Sequence, residues 1–300
     1  MDNNNNENKS EITITRLFYY PLKSQYEIPA TEVKLTKKGF ANDRIYTIVK
    51  KSTLDHIKMG AYPKIYYITS RIEGDICHIH FPGDNLSQND FELDLNQKFT
   101  NEEIYSIIIN RLPTKGIVVS DILNKVCSEY FGFPCLFLRC CEDKLYINYH
   151  TKSLLHNWKE DDGSYFSDLG PLLITSEESL DYVNELLIKR NEKPVDMENF
   201  RPNLVIRGGG KYWEKLPKSF KINNAKFRNI KPCERCKVTT YSREDKKFKE
   251  SEEPLTLLKE INFYEELDDC VFGYNYSVDL PENTEFVMIK VGDVIYDIEY

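Results

Sequence analysis

Cys233 and Cys236 stand two residues apart in KPCERCKVTT, residues 231–240, and could serve four chemistries: a zinc site, a redox dithiol, ordinary core packing or a soft-metal ligand. Zinc needs four ligands, normally two Cys/His pairs. The Cys-x-x-Cys spacing occurs once, Cys140 and Cys141 are adjacent, and nothing in the sequence ties His78 and His80 to Cys233. A redox dithiol places its first cysteine at a helix N-terminus, where the dipole depresses the thiol pKa. The KVTTY that follows Cys236 favours strand over helix, which counts against that chemistry. Buried structural thiols remain the default for such a pair.

Other donors converge on anion binding. The start of TSEES, at Thr175 and Ser176, offers hydroxyls and free backbone N–H groups if a helix begins there. Lys23 and Ser24 in PLKS, Arg44 in NDR, and Arg201 and Asn203 in FRPN are donors bracketed by apolar runs. Each alone reads as a surface charge or turn residue. Together with a thiolate they suit a phosphate-bearing organic cofactor that holds a thiophilic metal. The GGG of VIRGGGKYW lacks both phosphate-loop spacings and reads as a turn.

The elements that must position these groups read mostly as strands. TEVKL, RIYTIVKK, KIYYITSRI and DICHIHF are short apolar runs between Gly, Pro, Asn and Lys breaks, and strand-like residues return between Cys135 and His150. NLVIRG, CKVTTY, FVMIK and VIYDIEY read as strands too. Helices are expected over SDILNKVCSEYFG, with Val119, Ile122, Leu123, Val126 and Tyr130 in step, and over TSEESLDYVNELLIKRN, with Thr175 and Glu178 as a capping box. NWKEDDGSYFSD, 157–168, reads as a long loop near a domain junction. The expected fold is α+β and β-dominated, with an Asn-rich tail at 1–10 and two domains, 11–145 and 146–300.

A formal charge of −8 argues against a nucleic-acid partner, which needs a basic stripe. No run approaches the roughly 18 apolar residues of a membrane span. MDNNNNENKS has no apolar leader segment, and eight cysteines without one imply a reducing compartment, so a cytoplasmic location is expected.

The order YPLKS, GFANDRIYTIV, PLLITSEESL, ENFRPNLVIRG, PCERCKVTT, IKVGDVIY strongly resembles the molybdenum cofactor sulfurase C-terminal (MOSC) domain superfamily, accompanied by its N-terminal β-barrel domain. Within it the two-domain layout is most similar to the amidoxime-reducing components. The resemblance implies the molybdenum cofactor, with Cys236 as the metal ligand and Cys233 free of it. It implies cofactor contacts from Lys23, Ser24, Arg44, Thr175, Ser176, Arg201 and Asn203, with Arg235 lining the site. Glu234 departs from the small residue expected there, which puts a cofactor contact at that position in doubt. The activity implied is reduction of N-hydroxylated substrates, amidoximes or hydroxylamines, with electrons from a cytochrome b5-type donor and its flavin-dependent reductase. A cofactor carrier without turnover of its own is the alternative. The chain has no room for the desulfurase domain of a full cofactor sulfurase, so it is not expected to be one.

Overall fold

A computed structural model describes residues 11–99, 103–110, 112–141 and 157–300. The Asn-rich start, the expected domain boundary at 145/146 and the strand-like residues up to His150 lie outside them, except for the described strand Cys135–Cys140. The chain is strand-dominated, with three α-helices among the described residues.

The largest sheet runs in the order Ile28–Ala30, Thr13–Tyr19, Leu204–Arg207, Leu172–Ser176, Asp269–Asp279, Ala225–Glu234, Ser219–Ile222, Tyr296–Glu299. Among the described strands of this sheet, only Leu172–Ser176 and Leu204–Arg207 pair in parallel. Parallel neighbours need a crossover, and the connection between them carries helix α2, Glu177–Lys189. Its buried stripe of Leu180, Val183 and Leu187 packs with Phe18, Tyr20, Phe200 and Phe272. The helix is capped one residue later than expected. Ser176, not Thr175, accepts the amide of Ser179 at 3.3 Å, so Glu178 does not complete a capping box.

A second core gathers Tyr46, Ile48, Ile65, Phe81 and Phe137 against the earlier helix, α1, Asp121–Phe131. That helix begins at Ser120, whose hydroxyl accepts two amides, and ends at Gly132 in the left-handed region, as its sequence signals require. Its buried face is Leu123, Val126, Cys127 and Phe131, while Ile122 is 57% exposed, so the face is rotated from the one expected. KIYY is not a strand: Pro63–Tyr67 forms a 3-10 turn, with proline at its start and Ile65 and Tyr66 buried.

The two ends of the chain interlock. Thr13–Tyr19 pairs with Leu204–Arg207, and Glu32–Thr36 with Val287–Lys290. Late residue Tyr241 in turn joins the core of the early half. Gly39 sits at one of these closures with φ +98, and a Cβ there would stand 2.4 Å from the carbonyl oxygen of Pro171. Gly74 shares the positive φ, at +58, but faces open space. Both alanine variants therefore carry the left-handed backbone penalty, of about 1 kcal/mol, and only Gly39→Ala adds a backbone clash. Thermal denaturation should show a clearly larger fall in Tm for Gly39→Ala than for Gly74→Ala.

Candidate functional site: a basic cleft at the end of a bulged strand

Ala225–Glu234 pairs with Asp269–Asp279, but the register slips between Asn229 and Lys231 and again between Pro232 and Glu234. Pro232 has no N–H to donate, so a regular ladder cannot pass through it, and a bulge re-aims the residues that follow. Cys233 turns inward and is 7% exposed. Cys236 emerges exposed. The Arg235 amide still donates to the Cys270 carbonyl at 3.0 Å, holding the segment to the sheet.

The KVTTY after Cys236 does not continue as a strand. Lys237–Thr240 is a 3-10 turn, in which the Thr239 amide and hydroxyl both donate to the Cys236 carbonyl at 3.0 Å. The Thr240 hydroxyl donates to the Lys237 carbonyl at 2.9 Å. Threonine hydroxyls that satisfy local carbonyls offer the backbone an alternative to the ladder, and here they win over β propensity.

Cys236 thereby lines a cleft of about 600 Å³. Its described lining holds six basic side chains, Lys23, Arg44, Lys58, Arg201, Arg235 and Lys237, against three carboxylates, Asp168, Glu234 and Asp269. Three donors sit on strained backbone: Ser24, Arg44 and Arg201 have φ of 76, 52 and 55°. The Arg44 guanidinium lies 4.0 Å over the Tyr20 ring and that of Arg201 4.5 Å. Arg44 also donates to Asp43 at 2.5 Å and to the Asn203 side-chain oxygen at 3.1 Å. Asn203 accepts a further bond from the Leu173 amide at 3.2 Å, so it fixes Arg44 to the sheet. Lys23 donates to the Phe166 carbonyl at 3.0 Å and to Asp168 at 2.7 Å, while burial depresses its pKa against the pull of that carboxylate.

Two of the guanidinium groups have no carboxylate partner among the described residues. Arg201 donates to the Gln25 carbonyl at 2.7 Å. Arg235, 9% exposed, donates to the Phe200 carbonyl at 2.7 Å and to the Cys233 sulfur at 2.9 Å, and its Nε has no partner. A buried charge without a counter-ion is costly, so a cleft that keeps such groups is built for an anionic ligand. The exposed Cys236 thiol beside them is the kind of donor that soft metals take.

Lys23, Ser24, Arg44, Arg201, Asn203, Arg235 and Cys236 thus share one lining, which Cys233 joins. Thr175 and Ser176 are not on it. Both are fully buried: Thr175 donates to the Met197 sulfur, and Ser176 donates to Glu214 at 2.8 Å. The start of α2 is filled from within by that carboxylate, whose pKa burial raises to about 7. Sequence reasoning missed His56, Lys58, Asn110 and the run Ser167–Gly170. Only the last carried a signal, as the end of the long polar loop. His78 and His80 lie on the strand Ile76–His80, paired with surface carboxylates, and do not line the cleft.

Residues 161–296 match the MOSC domain, and residues 11–134 match the MOSC N-terminal beta barrel domain. The chain belongs to the MOSC family and carries that barrel domain in the same polypeptide. It is 25% identical over 308 residues to the molybdenum cofactor sulfurase of Oryza sativa subsp. japonica, an alignment covering 99% of this chain and 37% of that protein. It is 26% identical to mitochondrial amidoxime reducing component 2 of Bos taurus and 25% identical to mitochondrial amidoxime-reducing component 1 of Homo sapiens. Each of those alignments covers 95% of this chain and 82% of the relative. The chain therefore spans little more than a third of the plant protein's length and most of the mammalian ones. No described helix is long and apolar enough to cross a membrane.

The site's environment makes two outcomes measurable. Cys236 is exposed and Cys141 intermediate, whereas Cys77, Cys127, Cys135, Cys140, Cys233 and Cys270 are buried. Burial also raises the Cys233 thiol pKa. A limiting dose of iodoacetamide on the folded chain, read by peptide mass spectrometry, should alkylate Cys236 well before Cys233. Burial, then the Lys23 charge, lowers the His56 pKa from 6.5 to about 4. The unfolded chain then binds the extra proton first, so stability falls as pH drops from about 6.5 towards 4 and is regained on the way up. Urea unfolding across that range should show a shallower loss in His56→Gln, with a difference on the order of 3 kcal/mol at the acid end.

Proposed function

We propose that the chain is a molybdenum-cofactor-dependent reductase of N-hydroxylated compounds, with Cys236 as the protein ligand to the metal. The observation that carries this reading is the exposed Cys236 thiol on a cleft whose buried Arg235 and neighbouring Arg201 have no carboxylate counter-ion among the described residues. The names of the mammalian relatives support the reaction, and that of the plant relative supports the cofactor. Bound there, the cofactor supplies two-electron chemistry that removes oxygen from an N–OH group as water, with two protons taken up.

The chain's own residues do the remaining work. Lys23, Arg44, Arg201 and Arg235 offset the phosphate charge, and Ser24 adds a hydroxyl. Asn203 orients Arg44 through the 3.1 Å bond to its guanidinium. Cys233 supports the bulged segment from inside and accepts from Arg235. Glu234 turns its carboxylate to Lys231 at 3.1 Å, which neutralises it at the cleft wall. Electrons come from a cytochrome b5-type protein reduced by a flavin-dependent reductase.

The test is elemental analysis of protein made in a molybdopterin-competent host. Wild type and Cys233→Ala should carry close to one molybdenum per chain, and Cys236→Ala at least about tenfold less, a loss of roughly 1.4 kcal/mol or more in binding. Reduced viologen should be oxidised by wild type on adding benzamidoxime. Molybdenum retained by Cys236→Ala would sink the ligand assignment; molybdenum without turnover in wild type would leave a cofactor carrier.

A further inference from the structure

The three ion pairs that touch the cleft differ in one respect. Arg44 pairs with Asp43, whose side chain is 2% exposed, and that partner cannot leave without burying an unpaired charge. Lys231 pairs with Glu234, at 1% and 27% exposure. Lys23 pairs with Asp168, at 6% and 60% exposure. Its carboxylate reaches solvent at the cleft wall, though the wall desolvates it in part, while the ammonium it satisfies is buried.

We propose that Asp168 is an internal counter-ion of Lys23 that the cleft's anionic ligand displaces, so that loading the site is an exchange of one anion for another. Lys23 is fixed: its amide donates to the Tyr46 carbonyl at 2.9 Å, and its ammonium holds the Phe166 carbonyl at 3.0 Å. The Asp168 backbone is fixed as well, because the Asn110 side chain donates to its carbonyl at 2.9 Å and the nearby Phe166 amide donates to the Arg44 carbonyl at 2.9 Å. Release therefore needs only rotation of the Asp168 side chain, which carries its charge from the cleft wall out into solvent and restores its hydration. A ligand anion arriving at Lys23 faces a carboxylate already there, and two anions on one ammonium repel.

The consequence is selection by charge. A monovalent anion gains at Lys23 about what Asp168 gives up. A phosphate monoester dianion that also reaches Arg44 or Arg201 gains more than is lost, because those groups line the same cleft. The proposal rests on the proposed function only for where such a phosphate comes from, the pterin cofactor or another phosphate monoester. The exchange itself can be read with inorganic phosphate.

Isothermal titration of inorganic phosphate into cofactor-free protein, at fixed ionic strength, compares wild type, Asp168→Asn, Asp168→Ser and Asp168→Asn combined with Lys23→Met. Both single variants should bind phosphate at least about fivefold tighter than wild type, and the double variant should lose that gain. Serine guards against an asparagine that keeps the Lys23 contact as a neutral acceptor. Equal or weaker binding by both single variants overturns the proposal, as does a gain that survives Lys23→Met or no binding by any variant. Failure of the molybdenum assignment would appear separately, in the metal content of wild type and Cys236→Ala, and would leave the phosphate result standing.

Discussion

The bulged pairing of Ala225–Glu234 with Asp269–Asp279 is the constraint on which the site depends. These are the longest of the described strands, so the sheet fixes the position of whatever leaves their ends. Pro232 denies the ladder one donor near the last residues, and the slip it accompanies sets where the segment carrying Cys233 and Cys236 leaves the sheet. Both line the cleft, Cys233 buried beside Arg235 and Cys236 exposed. Their odd spacing already separates them in an extended backbone, and the register slip with the turn after Cys236 sets how far each is exposed.

Around that point the chain accumulates positive charge against its own average. The net charge is −8, yet the cleft lining is basic. The cost is met in two ways and left open in a third. Arg44 has a buried carboxylate, Arg44 and Arg201 lean on the Tyr20 ring, and Arg235 is left with an unpartnered Nε. The last of these is stable only with an anionic ligand or at a price in folding energy, which is the usual arrangement at a binding site.

Much of the local structure was legible. Ser120 and Gly132 bound α1 because capping chemistry is local, and the apolar stripe of α2 packs as its period requires. The misreadings were also local contests. KIYY and KVTTY carry strand-forming side chains, but Pro63 in one and the threonine hydroxyls in the other tip the backbone into 3-10 turns. Thr175 and Ser176 do precede a helix, as read. What no spacing revealed is that Glu214, 38 residues beyond Ser176, occupies that helix start.

By itself the sequence picked out Lys23, Ser24, Arg44, Arg201, Asn203, Arg235 and Cys236 as candidate donors, through residue type and a resemblance in motif order. It also determined the strand-rich class, through short apolar runs between breakers. Only the tertiary structure decided which donors share a cleft. Arg44 meets Asn203 across 159 residues, and Lys23 meets Asp168 across 145, because the first strands add to the sheet of the second half and carry both loops to its edge. Hydrogen bonding and burial over such separations depend on how sheets close on one another, and no local pattern encodes that.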